Sequence, residues 1–136
     1  MLATAYLFQE EGEQQLLGKL LPKTHRLLQP EPQRLYLCIH CRQVLSDQQQ
    51  LLAVKGAHEH YRINPAGVEF RFICLRQAEG CRIEGAPTRE ASWFSSHLWQ
   101  CAHCTGCHTQ LGWYFSGCEP AFFGLIKNKL LVELAG

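Results

Sequence analysis

Two cysteine pairs, far apart in the chain, most constrain what it can fold into. Cys38 and Cys41 enclose Ile39-His40, and Cys101, Cys104 and Cys107 follow later at equal spacing, with His103 and His108 among them. A C-x-x-C knuckle turns two sulfurs toward one ion while backbone amides stabilise the thiolates, and two knuckles supply the tetrahedral set of a closed, structural zinc site. Cys41 and Cys104 are 63 positions apart, so a single ion would join distant parts of the fold, where closing a long loop stabilises most. Spacing alone leaves open whether Cys101-x-x-Cys104 or Cys104-x-x-Cys107 completes the set, with the two histidines as competitors.

Other metal chemistries fit less well. An iron–sulfur cluster would need a fourth cysteine placed before a proline. A catalytic zinc keeps one position open, and four thiolates leave none. The zinc deaminase signature is absent, because His58-Glu59-His60 has the wrong order and no proline precedes Cys104.

Composition narrows the class further. The N-terminal MLATAYLFQEEGEQQ lacks a basic region and turns acidic at once, which is not the pattern of a secretory signal. The expectation is a cytoplasmic protein whose eight cysteines serve metal binding rather than disulfides. Lys+Arg of 13 against Asp+Glu of 12 leaves a net charge of +1, giving no electrostatic footprint for nucleic acid or an anionic membrane. No apolar run approaches the ~18 residues of a transmembrane helix. A hydrophobic content of 46% in 136 residues suits one domain with its own core.

Along the chain, residues 1–34 read as an N-terminal arm and residues 35–136 as the domain. In the arm, Leu16, Leu17, Leu20 and Leu21 recur at helical spacing before Pro22, and Tyr6-Leu7-Phe8 could add a strand. Leu35-Tyr36-Leu37 and Leu51-Leu52-Ala53-Val54 read as strands, and Asn64-Pro65-Ala66-Gly67 as a turn. Val68, Phe70, Phe72 and Cys74 share one face of a strand with Glu69 and Arg71 on the other. Gly80, Gly85 and Pro87 mark a loop. Trp113-Tyr114-Phe115 reads as a strand, and Glu119-Pro120-Ala121 as the start of a short helix carrying Phe122, Phe123, Leu125, Ile126 and Leu130 into the core. Short strands between turn signals make the domain mainly β, with short helical segments.

All three tryptophans fall between Glu90 and Phe115. Clustered tryptophans are commonly core, but a core stripe keeps one period. Here Trp93 sits in a Ser-rich loop, Trp99 just before the knuckle and Trp113 on a strand. Aromatics converging from different elements form a box.

The combination Glu90-x-Ser92-Trp93-Phe94, then Trp99-Gln100, then Cys104-x-x-Cys107-x-x-Gln110-Leu111-Gly112-Trp113-x-Phe115 resembles the cereblon thalidomide-binding (CULT) domain family. The first knuckle, Asn64-Pro65-x-Gly67, Gly85-x-Pro87 and Phe123-Gly124-Leu125 extend the likeness over about residues 35–133. The small size resembles a stand-alone, bacterial-type member, without the Lon-like and adaptor-binding parts of full cereblon. The resemblance implies a β-tent, two antiparallel sheets pinned by a four-cysteine zinc site, with Cys38, Cys41, Cys104 and Cys107 as ligands and Cys101 spare. It also implies a non-catalytic binding module for cyclic imides such as glutarimide and thalidomide-type ligands. Uracil-like rings and a cyclised C-terminal glutamine or asparagine are related candidates. Trp93, Trp99 and Trp113 would be the walls, Phe115 the floor, Pro65 a rim contact, and Asn64 the place where ligand substituents pass. The imide would be oriented by the carbonyl of Ala91 and the amide of Trp93.

The sequence departs from that family at three places. Ala91 stands where the family often has histidine, Ser95-Ser96 where it has Pro-Gly, and Gln110 where histidine is usual. Two other functions suit parts of the pattern. A thiol enzyme of the methionine sulfoxide reductase type, a fold similar to the β-tent, could use Cys74, Cys81, Cys101 or Cys118. A methylated-amine binder could use the aromatic box with Glu90 nearby.

Overall fold

The computed structural model describes residues 33–135. The helix and strand expected in the arm lie outside the described residues, and Gln33 and Arg34 already belong to the first strand. In chain order the strands are β1 (Gln33–Cys38), β2 (Val44–Asp47), β3 (Glu59–Ile63), β4 (Glu69–Leu75), β5 (Cys81–Thr88), β6 (Leu98–Cys104), β7 (Gln110–Ser116), β8 (Phe122–Ile126) and β9 (Leu130–Ala135). The helical content among the described residues is two single 3-10 turns, Gln48–Gln50 and Lys127–Lys129.

The fold is mainly β, in two antiparallel sheets. Three strands form the small sheet in the order β9-β1-β2, and six form the large sheet in the order β3-β4-β8-β7-β6-β5. The organising strand is β8, whose residues Phe122, Phe123, Gly124, Leu125 and Ile126 are all buried. Strand alternation sends Phe123 and Leu125 to one face and Phe122 and Ile126 to the other. The first face packs with Ile73, Leu75, Ala102 and Leu111 of the large sheet against Tyr36, Cys38 and Leu45 of the small one. The second gathers Phe72, Phe94, Trp113 and Phe115 into an aromatic cluster. One sheet therefore serves two cores.

That double burial explains the first departure from expectation. Apolar residues on both faces of a short strand give the spacing of an amphipathic helix, so the segment expected to start a helix at Glu119-Pro120-Ala121 is β8 followed by one 3-10 turn. The stretch expected as a loop around Gly80, Gly85 and Pro87 is strand β5. It lies at the edge of the large sheet, and its pairing with β6 breaks between Glu84 and Thr88. An edge strand with a bulge accommodates Gly85 at φ 89° and the missing amide of Pro87. Leu51 to Val54 makes only the isolated bridges Leu51↔Leu75 and Val54↔Ala57. The other strand readings held, with β4 starting at Glu69 and burying both faces from Phe72 onward.

Close backbone approach fixes two glycines in the large sheet. A Cβ on Gly112 would lie 1.9 Å from the Gly124 carbonyl oxygen, and one on Gly124 would lie 2.8 Å from the Phe72 ring. Gly112→Ala is expected to force β7 and β8 apart and to destabilise the domain by about 3 kcal/mol, measured by chemical denaturation.

Candidate functional site

Four cysteines meet where the turn after β1 faces the turn between β6 and β7. The ligand atoms of Cys38, Cys41, Cys104 and Cys107 all lie within 4.8 Å of one another. Sulfur separations are 3.6 Å for Cys38–Cys107 and 3.5 Å for Cys41–Cys104. A tetrahedral ion about 2.3 Å from each thiolate would set sulfurs about 3.8 Å apart, so the cluster fits a metal ion with little movement. Cys101 takes no part, which settles the ambiguity of the second knuckle. His103 turns its Nδ1 to the His108 carbonyl at 3.0 Å, and His108 Nδ1 accepts from Arg82 at 3.1 Å.

Backbone amides support the sulfurs, as the knuckle spacing requires. The Gly106 amide donates to Cys104 Sγ at 3.3 Å, and a Cβ on Gly106 would sit 3.0 Å from Cys41 Sγ. The sulfurs also set one another's protonation. Hydrogen bonding with the side chain and backbone of Thr109, whose hydroxyl lies 3.2 Å from Cys107 Sγ, holds the Cys107 thiol down to about 6. The Gln43 amide lowers Cys41, yet burial and the thiols of Cys104, Cys107 and Cys38 push it up to about 12. Burial likewise raises Cys38. Four sulfurs this close repel as anions, and a divalent cation is the charge that lets all four ionise together.

The aromatic pocket lies on the other face of the large sheet. A cavity of about 180 Å³ is lined by Asn64, Pro65, Phe70, Ala91, Trp93, Trp99, Trp113 and Phe115. The structure thus brings all seven residues singled out from the sequence to one place. Phe70 is the residue that reading missed, although it shares a strand face with Phe72. Its ring meets Trp113 edge-on at 5.1 Å.

Each wall has its own anchor. Trp93 stacks on buried Phe72 at 5.6 Å and donates its indole N–H to the Ile63 carbonyl at 3.1 Å. Trp99 donates its indole N–H to the Glu90 carbonyl at 2.8 Å. Trp113 stands perpendicular to Trp93 at 4.8 Å and lies opposite Gly124 in the β7–β8 register. The Asn64 carbonyl and side-chain oxygens accept from the amides of Gly67 and Val68, both at 2.9 Å, which fixes the turn that carries Pro65.

The loop between β5 and β6 supplies the polar edge of the pocket. Ala91 adopts φ 58°, a left-handed conformation that costs a non-glycine residue roughly 1 kcal/mol or more. Ser92 donates its amide to the Arg89 carbonyl at 3.2 Å, and the Phe94 amide donates to Ser92 Oγ at 3.3 Å. Among the described residues, the Ala91 carbonyl and the Trp93 amide have no protein partner. The Ser95-Ser96 substitution leaves a closed turn, in which His97 N–H reaches the Phe94 carbonyl at 2.8 Å and the Phe94 side chain is 1% exposed. Gln110 points away from the cavity, donating to Cys101 Sγ at 3.5 Å.

A larger cavity of about 420 Å³ lies along β2, lined by Gln43, Ser46, Asp47, Gln50, Gln77 and Glu79 among others. Its walls are mostly polar, with Val44 and Leu45 as its apolar side chains and no aromatic ring, so the aromatic pocket is the better candidate. No helix among the described residues is long and apolar enough to cross a membrane.

No family model matches the chain. It is similar to protein cereblon of Danio rerio, 31% identical over 74 residues that make up 51% of this chain and 17% of the fish protein. It is also similar to protein cereblon of Xenopus tropicalis, 29% identical over 73 residues, 50% of this chain and 16% of the frog protein. The match spans under a fifth of either relative.

Two outcomes test the metal centre. Cys104→Ser is expected to lose the bound metal and unfold the domain, while Cys101→Ser keeps both, read by metal content and circular dichroism. Because Cys38 and Cys41 must lose raised-pKa protons to bind, apparent metal affinity should rise by at least about tenfold per pH unit between pH 6 and 8, measured by chelator competition.

Proposed function

The chain carries a cereblon-like domain, and we propose that it is a non-catalytic binding module, held by structural zinc, whose aromatic pocket takes the ring of a cyclic imide. The observation that carries this reading is a carbonyl and an amide, those of Ala91 and Trp93, that have no partner among the described residues and belong to residues lining a cavity walled by three tryptophans. An imide edge presents one N–H between two carbonyls, and so needs one acceptor and one donor side by side. Buried groups left without such partners cost about 1–3 kcal/mol each. A neutral, flat ring satisfies both and covers the indole faces, at roughly 25 cal/mol per Å² of apolar area.

Size and charge support the same class. A cavity of about 180 Å³ is smaller than the ~300–1,000 Å³ pockets of drug-sized ligands, and suits one six-membered ring with substituents leaving past Asn64. A micromolar Kd, about −8 kcal/mol, corresponds to about 1 kcal/mol for each non-hydrogen atom of glutarimide, within the ceiling for small ligands. Glutarimide, uracil-like rings and a cyclised C-terminal glutamine or asparagine share the required edge. Among the described residues no carboxylate lines the cavity, which disfavours a methylated amine.

Three of the four spare thiols disfavour a reductase; the fourth, Cys118, is exposed. Burial pushes Cys74 and Cys81 up to about 12 and also raises Cys101, so at neutral pH they are thiols rather than the thiolates that attack.

Calorimetry with glutarimide tests the assignment. Trp113→Ala is expected to weaken binding at least about thirtyfold, equivalent to about 2 kcal/mol, with metal content unchanged; Gln110→Ala should bind like the parent. Affinity should be the same at low and high salt, whereas a cation binder would lose affinity as salt rises. Unchanged binding by the Trp113 variant would remove the pocket from the account.

A further inference from the structure

A fifth cysteine faces the metal centre from across the sheet. β5 and β6 are antiparallel, and Cys81 is the register partner of Cys104. The hydrogen bonds around them identify the kind of pair. Cys81 N–H donates to the Ala78 carbonyl at 3.0 Å and Cys104 N–H to the Thr109 carbonyl at 2.9 Å, so neither bonds across to the other. The Thr105 amide crosses instead to the Gly80 carbonyl at 3.0 Å. Cys81 and Cys104 are therefore a non-hydrogen-bonded pair, whose Cα atoms sit about 4.5 Å apart with side chains on one face. That separation falls inside the roughly 4.4–6.8 Å span of a disulfide.

Both side chains pack against the same apolar cluster. Cys104 is fully buried, and Cys81 remains partly exposed. Cys81 is not one of the four clustered ligands. It is thus a free thiol beside one of the four clustered cysteines.

We propose that Cys81 is a resolving cysteine that makes the metal centre sensitive to peroxide, closing a Cys81–Cys104 disulfide that expels the metal. The Cys104 thiolate attacks one oxygen of hydrogen peroxide, the O–O bond breaks, and sulfenic acid and hydroxide form. The hydroxide so released takes the Cys81 proton and leaves as water, the resulting Cys81 thiolate attacks the Cys104 sulfur, and the S–O bond breaks with loss of hydroxide. The two sulfurs lose two electrons and the peroxide gains them. A small dithiol reverses the reaction and restores the ligand set. Oxidation between two ligands, such as Cys41 and Cys104 at 3.5 Å, would remove two donors from the ion at once; the Cys81 route removes one.

The test treats the zinc-loaded full chain with hydrogen peroxide, follows zinc release with a chromogenic chelator, and maps disulfides by peptide mass. The expected result is zinc release coupled to a Cys81–Cys104 cross-linked peptide, both reversed by dithiothreitol. In Cys81→Ala, release should slow about tenfold and the Cys104 sulfenic acid should be trapped by dimedone. Should that variant not load with zinc, Cys81→Ser and the mapping on the unmodified chain decide the matter. Release at the parent rate from either variant, or a disulfide mapping to Cys41–Cys104 or Cys38–Cys107, would overturn the proposal.

Discussion

The rest of the structure depends on four sulfurs brought within 4.8 Å of one another. They come from two turns separated by most of the domain, one leaving β1 of the small sheet and one joining β6 to β7 of the large sheet. Without a cation the cluster carries its own conflict, since Cys107 ionises easily while Cys38 and Cys41 are held as thiols. A metal ion would resolve that conflict and tie the edges of two sheets that also share apolar packing around Leu45, Leu75 and Leu125 and a hydrogen bond from the Gly80 amide to the Leu45 carbonyl at 3.1 Å. Closing so long a loop removes entropy from the unfolded chain, which small domains with limited cores need most.

The aromatic pocket inherits its rigidity from that arrangement. Strand β8 is buried on both faces, so the metal-side core and the aromatic cluster share one backbone. Gly124 gives Phe72 room to lie flat, Phe72 supports Trp93, and Trp93 stands against Trp113. Trp99 and Cys104 sit on the same strand, so one strand carries a wall of the pocket and a cysteine of the cluster. A site whose walls are locked by packing and indole hydrogen bonds pays little to order itself when a ligand arrives. The left-handed backbone at Ala91 is a local conformational cost carried by the rim of the pocket.

Much of this was legible in the residues because it rests on chemistry that few side chains can perform. Thiolates at knuckle spacing and tryptophans on three different elements identified the metal centre and the pocket, and resemblance chose Cys107 over Cys101. What spacing could not reveal was depth. The helix expected after Glu119 is a strand because β8 is apolar on both faces, and five residues are too few for periodicity to separate the two. Gly85 and Pro87 read as loop because a bulged edge strand tolerates the residues that break a central one. Phe70 shares a strand face with buried Phe72, and nothing in that spacing marks it as a wall of the cavity. The pairing of Cys81 with Cys104 is a matter of register, which cysteine spacing does not encode.

The central claim is that the pocket reads the edge of an imide through one backbone acceptor and one backbone donor. Tryptophan fluorescence tests it directly, because Trp93, Trp99 and Trp113 all line the cavity. The zinc-loaded protein should be titrated with glutarimide and, in parallel, with N-methylglutarimide, which keeps the ring and loses the N–H. The account predicts saturation at micromolar glutarimide and no saturation with the methylated ring. Equal responses to both, or none to either from a folded and metal-loaded sample, would contradict it.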